Sequence, residues 1–188
     1  MKGAFLVGIA GGTASGKSTF CEKLEKSLCE LKIKSLHMDT YFKPKNERPC
    51  AEAFITRIKY TDDNHPLTVD FDRLKNDLKQ LQSGEYEIII IEGLLTLWDN
   101  DICNMLDLKL FMDCESDERF ARRIKRNMQR GLTMDEITTF FLDMVKFRHN
   151  EYVEPSKWRA DLIINGSKPS ETSLQVVSEY IRNNCKKG

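Results

Sequence analysis

Short apolar runs alternate along the chain with longer stretches in which apolar residues recur every three or four positions. Five runs consist mainly of Ile, Leu, Val or Phe with little polar alternation: Phe5 to Ala10, Ile33 to Met38, Ile88 to Ile91, Leu106 to Met112 and Asp161 to Ile164. Runs of this kind are typical of parallel strands that are buried on both faces. The alternation therefore predicts an α/β fold in which helices flank a five-stranded parallel sheet.

The stretches between these runs show helical spacing. We expect helices over Lys17 to Leu31, Phe71 to Gln82, Asp117 to Arg130, Met134 to Tyr152 and Glu171 to Asn184. Thr133 and Glu136 have the spacing of a capping box, which marks a helix start. The segment from Tyr41 to Leu67 contains three of the five prolines and no clear periodicity, and it predicts a long irregular connection.

Composition and charge narrow the class of protein. The chain has 188 residues, 40% of them hydrophobic, and its 29 basic side chains balance 29 acidic ones. We expect one domain over residues 1–188. A neutral chain argues against nucleic acid or an anionic membrane as partner, since both require a sustained excess of Lys and Arg. The six cysteines form no C-x-x-C pair, and no apolar run reaches the roughly 20 residues of a membrane helix, so we expect a cytoplasmic protein.

A glycine-rich loop follows the first predicted strand and precedes the first predicted helix. It matches G-x-x-x-x-G-K-[ST] over eight residues: Gly11, Gly12, Thr13, Ala14, Ser15, Gly16, Lys17 and Ser18, with Thr19 next in the helix. In this motif backbone N–H groups surround phosphate oxygens, the Lys places a charge on the outer phosphates and the Ser holds Mg²⁺. The loop predicts a P-loop NTPase fold with a site for a nucleoside triphosphate and Mg²⁺. By itself it fits a switch GTPase, a motor or transport ATPase, or a small kinase.

Two carboxylates follow predicted strands. Asp39 comes after the second strand and Glu92 directly after the third, where ligands of open α/β sheets bind. Asp39 is a suitable acceptor for the proton of an alcohol during phosphoryl transfer, and Glu92 is suited to Mg²⁺ or to its bound water. No N-K-x-D motif occurs, which argues against a GTPase.

Basic residues are concentrated in one predicted helix. Six of them and no acidic residue lie between Arg119 and Arg130. Arginines on a mobile helix can close over a triphosphate, neutralise the charge that develops in transfer and exclude water. We therefore expect residues 116–152 to form a helical lid in which Arg123 and Arg126 act in catalysis.

Several segments in order resemble the uridine kinase and phosphoribulokinase family of P-loop kinases. They are Gly8 to Thr19, Met38-Asp39-Thr40, His65-Pro66, Asp70-Phe71-Asp72, Ile91-Glu92-Gly93, Asp107 to Asp113, Ala121 to Arg126, Tyr152 to Lys157 and Ala160 to Ile164. The resemblance implies ATP-dependent phosphorylation of a ribose 5′-hydroxyl with Asp39 as the base. The implied contacts to the small-molecule substrate come from Asp39, Tyr41, Phe42, Asn64, His65 and Arg123.

The sequence leaves several candidates for the acceptor alcohol. Uridine or cytidine leads, followed by another riboside or a sugar-like alcohol, and a non-catalytic ATP-binding regulator is the alternative from another class. Only Ser83 to Tyr86 stand where the family has a longer base-reading hairpin, Asn64 replaces the usual Asp, and Leu132 replaces a basic residue. The Tyr41 to Leu67 segment either supplies substitute contacts or is a solvated loop. The chain is compatible with a homo-oligomer.

Overall fold

Seven strands form two sheets in a computed structural model that describes residues 3–185. In chain order the strands are β1 (Phe5–Gly11), β2 (Ile33–His37), β3 (Cys50–Glu52), β4 (Lys59–Thr61), β5 (Ile88–Glu92), β6 (Leu108–Asp113) and β7 (Leu162–Asn165). Five of them make one parallel sheet in the order β2-β5-β1-β6-β7, and β3 and β4 form an antiparallel pair. The predicted fold class is confirmed.

The sheet is buried on both faces because its central strands β1 and β5 are almost entirely apolar. All residues of β1 and β5 are buried. Leu6 and Ile89 pack on one face, whereas Val7 and Ile90 pack on the other, as expected for strands whose successive side chains alternate. Parallel pairing brings the carboxyl ends of all five strands to one edge of the sheet.

Seven helices surround the sheet. They are α1 (Lys17–Ser27), α2 (Phe71–Gln82), α3 (Asn100–Met105), α4 (Ser116–Met128), α5 (Met134–Phe140), α6 (Lys146–Arg148) and α7 (Glu171–Cys185). The buried side chains of α1 and α7 pack on one face of the sheet and those of α2 on the other. The six-residue α3 was not predicted; the Asp99 side chain caps it by accepting a hydrogen bond from the Ile102 N–H.

A continuous helical stretch follows the predicted capping box. Thr133 Oγ1 accepts from the Glu136 N–H, and the Thr133 N–H donates to Glu136 Oε2 at 2.8 Å. Beyond α5 the chain passes through two π-helical segments and a 3₁₀ segment, which lie at Phe141–Val145, His149–Val153 and Glu154–Arg159. None of the helices within residues 3–185 is both long and apolar enough to cross a membrane.

The segment between Tyr41 and Leu67 is more ordered than expected, so the prediction of an irregular connection is wrong in part. It contains the β3–β4 hairpin, in which Cys50 pairs with Thr61. Strands of three residues leave little periodic signal in a sequence. The hairpin depends on a distant residue, because Asp143 accepts hydrogen bonds from the N–H groups of Ile55 and Thr56 at 2.7 and 3.0 Å.

Candidate active site

The glycine-rich loop connects β1 to α1 at the carboxyl edge of the sheet. Gly16 is the N-cap of α1 and has φ +94°, a conformation that side chains other than glycine rarely adopt. A Cβ atom on Gly12 would lie 2.7 Å from Arg119 Nη1, so any side chain there would displace the Arg119 guanidinium. The loop therefore places the start of α1, and with it Lys17 and Ser18, next to the strand ends.

Lys17 lies among charges of both signs. Burial lowers the pKa of Lys17, the carboxylates of Glu92 and Asp39 oppose this effect, and Arg126 adds to it. Its Nζ donates to the Gly12 carbonyl over a long distance of 3.4 Å. The ammonium group is thus held beside the loop with donor capacity for an anion.

Glu92 connects β5, β2 and α1. Its Oε1 accepts from Ser18 Oγ at 3.0 Å and from His37 Nδ1 at 2.8 Å. Its Oε2 is buried with no hydrogen-bond partner in the described part of the chain. A buried carboxylate oxygen of this kind next to a serine hydroxyl fits a hard cation such as Mg²⁺, which prefers oxygen ligands and completes its shell with water and phosphate.

Two arginines of α4 reach across to the glycine-rich loop. Arg123 Nη1 donates to Thr13 Oγ1 at 3.1 Å, and Arg126 Nη2 donates to the same oxygen at 3.3 Å. Burial, together with the neighbouring charges of Arg126 and Arg130, lowers the pKa of Arg123 to about 10. Three positively charged guanidinium groups repel one another beside the glycine-rich loop. A bound anion would relieve this repulsion.

The other arginines of α4 have different partners. Arg122 donates to the carbonyls of Gly166 and Ser167 at 2.9 and 3.1 Å. Arg119 is only 4% exposed, donates from Nε to the Cys114 carbonyl and lies behind the loop. A cavity of about 590 Å³ opens beside Arg122 and also includes Thr19, Arg126 and Pro169 in its walls. This cavity extends from the phosphate loop towards α7.

A second cavity of about 410 Å³ combines residues from six parts of the chain. Its walls are Thr13, Lys17, Ser18, Asp39, Phe42, Asp63, Asn64, Glu92, Leu94, Arg123, Arg126, Asn127, Arg130 and Phe140. The structure therefore brings together eight side chains that the sequence analysis singled out for catalysis, metal or substrate: Lys17, Ser18, Asp39, Phe42, Asn64, Glu92, Arg123 and Arg126. We refer to this space as the transfer cavity.

Two expected substrate contacts lie outside the transfer cavity. Tyr41 is 4% exposed and packs in the core, where its hydroxyl donates to Asp77 Oδ2 at 2.9 Å. Burial and this hydrogen bond raise the pKa of Tyr41 to about 12. His65 Nδ1 accepts from the Leu67 N–H, and its ring packs against Tyr152. Neither side chain lines the transfer cavity, and a substrate contact from either stays a prediction.

Sequence reasoning did not assign a role to His37 or Asn127. His37 is the last residue of β2 and pairs in register with Glu92, which is the last residue of β5. Both end adjacent strands, and that shared position is the signal that could have linked them. Asn127 is buried on α4, and its Oδ1 accepts from Arg126 Nε at 3.1 Å.

Comparison with known proteins identifies the relatives of this chain. The model of the phosphoribulokinase/uridine kinase family matches residues 6–87 and 84–173. The chain belongs to this family. Among curated family members, the uridine kinase of Lactococcus lactis subsp. lactis is 30% identical, with 96% of this chain and 97% of that protein covered. The uridine kinase of Clostridium novyi is 31% identical, with 94% of each chain covered.

Solved structures share the fold at lower identity. Phosphoribulokinase from Rhodobacter spheroides superposes with a TM-score of 0.64 at 11% identity, over 88% of this chain and 71% of that chain. TT1252 from Thermus thermophilus has a TM-score of 0.61 at 18% identity, over the full length of both chains. These likenesses show that the family fold is retained in this chain.

Proposed function

We propose that this member of the family transfers the γ-phosphoryl group of ATP to the 5′-hydroxyl of a nucleoside, with uridine or cytidine as the leading acceptor. The observation that carries the proposal is the transfer cavity. It collects a loop lysine, a serine beside a buried carboxylate, an exposed aspartate and two helix-borne arginines in one space. Positioning and charge stabilisation of this kind make up most of the catalysis in phosphoryl transfer.

On the donor side, the loop and the arginines of α4 would bind the triphosphate. Lys17 would contact the outer phosphates, while Arg123 and Arg126 would exchange their bonds to Thr13 for phosphate oxygens. Ser18 and Glu92 would hold Mg²⁺, with His37 fixing the Glu92 carboxylate. When bound, Mg²⁺ would neutralise negative charge on the phosphate oxygens. The cavity beside Arg122 has room for the nucleoside part of ATP.

On the acceptor side, Asp39 is the group suited to take the proton. It follows β2 in the 3₁₀ turn Met38–Tyr41, and its side chain faces Lys17 and Arg126 closely enough to affect the pKa of each. In the transfer step a bond forms between the acceptor oxygen and the γ-phosphorus, and the bond from that phosphorus to the ADP oxygen breaks. The hydroxyl proton passes to the Asp39 carboxylate. Asn64 and Phe42 would contact the sugar.

The helical stretch over residues 116–152 would act as a lid. It carries both arginines that contact Thr13, and it supplies Phe140 and Asn127 to the transfer cavity. Closing this stretch over the triphosphate would exclude water that would otherwise accept the phosphoryl group.

Acceptor-dependent ADP release tests the proposal. The full chain with Mg²⁺ and ATP is assayed with uridine, cytidine, adenosine, nicotinamide riboside, free ribose and simple sugar alcohols. We expect ADP release that requires one of the ribosides, together with a 5′-phosphate monoester in the ³¹P NMR spectrum of the product. Release with a sugar alcohol alone would favour the other acceptor class. Tight ATP binding without release for any acceptor would favour a non-catalytic ATP-binding regulator.

A further inference from the structure

The β3–β4 hairpin is attached to the helical stretch that follows α5. Asp143 is 1% exposed, and its carboxylate accepts from the N–H groups of Ile55 and Thr56 and from the Thr56 hydroxyl. The Phe54 ring stacks on Phe147 with 4.4 Å between centroids. A buried carboxylate with several donors fixes the hairpin relative to this helical stretch. The position of Tyr60 on β4 is therefore set by the proposed lid.

Tyr60 forms one wall of an apolar cavity. Its ring meets Phe140 edge to face with 5.0 Å between centroids. The space beside these rings is about 550 Å³, and Leu132 and Ile137 complete its apolar walls. Leu132 is 45% exposed although it is a large apolar residue. We refer to this space as the aromatic cavity.

The aromatic cavity adjoins the transfer cavity at three shared side chains. Arg123, Asn127 and Phe140 line both spaces. Arg123 faces the phosphate loop through its bond to Thr13. Phe140 is therefore common to the two spaces, with Asp39 on the side of the transfer cavity and Tyr60 on the side of the aromatic cavity.

The chemistry of the aromatic cavity favours stacking over hydrogen-bond recognition. Its walls are mainly apolar, although Arg123, Asn127, Asp135, Glu136 and Thr139 also line it. The carboxylate of Glu136 already accepts from the N–H and hydroxyl of Thr133. Aromatic side chains bind flat rings with little dependence on the polar groups at the ring edge.

Resting on the proposed function, we propose that the aromatic cavity receives the base of the acceptor riboside and that Tyr60 is the specificity-determining residue there. The ring is held by stacking and apolar contact with Tyr60, Phe140 and Leu132. This places acceptor selection on the β3–β4 hairpin, because the connection Ser83 to Tyr86 before β5 is too short to form a hairpin of its own. Apolar contact discriminates between ligands by only about 10- to 200-fold, against roughly 10⁴-fold or more for sites that hydrogen-bond the substrate.

The test compares two acceptors that share the ribose but differ in whether it carries a base. Uridine and methyl β-D-ribofuranoside present the same sugar hydroxyls, but only uridine carries a base. We measure kcat/KM for both acceptors with the wild-type chain, Tyr60→Ala and Tyr60→Phe, and with Trp158→Ala as the control for an exposed aromatic residue elsewhere. Thermal melting of each variant shows whether it is folded.

We expect Tyr60→Ala to lower kcat/KM for uridine about 5- to 150-fold, the range of base stacking, and to change that for methyl riboside less than twofold. Tyr60→Phe keeps the ring and should retain wild-type values for both acceptors, as should Trp158→Ala.

Equal losses for the two acceptors, or a loss in Tyr60→Phe as large as in Tyr60→Ala, would overturn the assignment while leaving the kinase proposal intact. A preference of about 10⁴-fold for uridine over adenosine would also overturn it. Absence of acceptor-dependent turnover in the wild-type chain would overturn both proposals.

Discussion

The Ser18 hydroxyl donates to the Glu92 carboxylate at 3.0 Å, although 74 residues separate the two in the chain. Ser18 lies in the first turn of α1, and Glu92 is the last residue of β5. The parallel sheet brings these two ends to one edge, and the second Glu92 oxygen is buried without a hydrogen-bond partner among residues 3–185. This arrangement supports the proposal that the pair holds a cation.

Replacing Glu92 should change the response of the enzyme to Mg²⁺. Glu92→Gln keeps the shape of the side chain but removes the negative charge that we propose binds the ion. We expect the Mg²⁺ concentration at half-maximal activity to rise by about tenfold or more, as when a metal-site group is lost. Direct titration of the nucleotide-free protein with Mn²⁺ gives a readout independent of turnover. Glu85→Gln, an exposed carboxylate near the start of β5, is the control, and equal Mg²⁺ requirements in both variants would remove Glu92 from the metal site.

Removing a lid arginine should affect turnover more than nucleotide binding. Arg123 and Arg126 contact Thr13 in this structure, and their charge is most useful in the closed, reacting state. We expect Arg123→Ala and Arg126→Ala each to lower kcat by about 10²-fold or more and to change the Kd of ATP by less than tenfold. Lys125→Ala removes an exposed charge from the same helix and should leave both values unchanged. Parallel losses in kcat and ATP affinity would instead indicate ground-state contacts.

The fold was predictable from the sequence where burial dictates composition. β1 and β5 are buried on both faces, so their continuous apolar runs identified them directly. The three-residue strands β3 and β4 left no such signal, because they depend on Asp143, about 90 residues further along the chain. The six-residue α3 is too short to show a helical period.

The candidate site was predictable where topology alone determines position. Asp39 and Glu92 follow parallel strands, so both lie at the edge where the phosphate loop also lies. Side-chain direction within a turn was not predictable: the 3₁₀ turn Met38–Tyr41 exposes Asp39 but directs Tyr41 into the core. The bond between His37 and Glu92 depends on the pairing of two strands that are distant in sequence.

His149 should make the stability of the chain depend on pH. Burial and the nearby charge of Arg119 lower the pKa of His149 below its usual 6.5, and the carboxylates of Glu154 and Asp113 oppose this only in part. The unfolded chain then binds a proton that the native state does not, so the contribution of His149 to stability should be constant above about pH 6.5 and should fall as the pH decreases below it.

Chemical unfolding at several pH values measures this effect. Between pH 7.5 and pH 5 we expect the wild-type chain to lose roughly 1 to 2 kcal/mol more of its free energy of unfolding than His149→Gln, which cannot bind the proton. The range stays above the usual pKa of 4.5 of Glu154, a carboxylate whose pKa is also lowered. Identical pH profiles for the two proteins would show that His149 binds its proton equally well in the folded and unfolded states.

Asp39→Asn tests the central claim that the transfer cavity moves a phosphoryl group from ATP to an alcohol with Asp39 as the proton acceptor. Asparagine keeps the size of the side chain but cannot take the proton. The measurement is single-turnover formation of the phosphorylated riboside from Mg²⁺-ATP, together with the Kd of ATP for the same protein. We predict a rate lower by about 10²- to 10⁴-fold with ATP affinity within a few-fold of the wild-type value. A near-wild-type rate in Asp39→Asn would contradict the account.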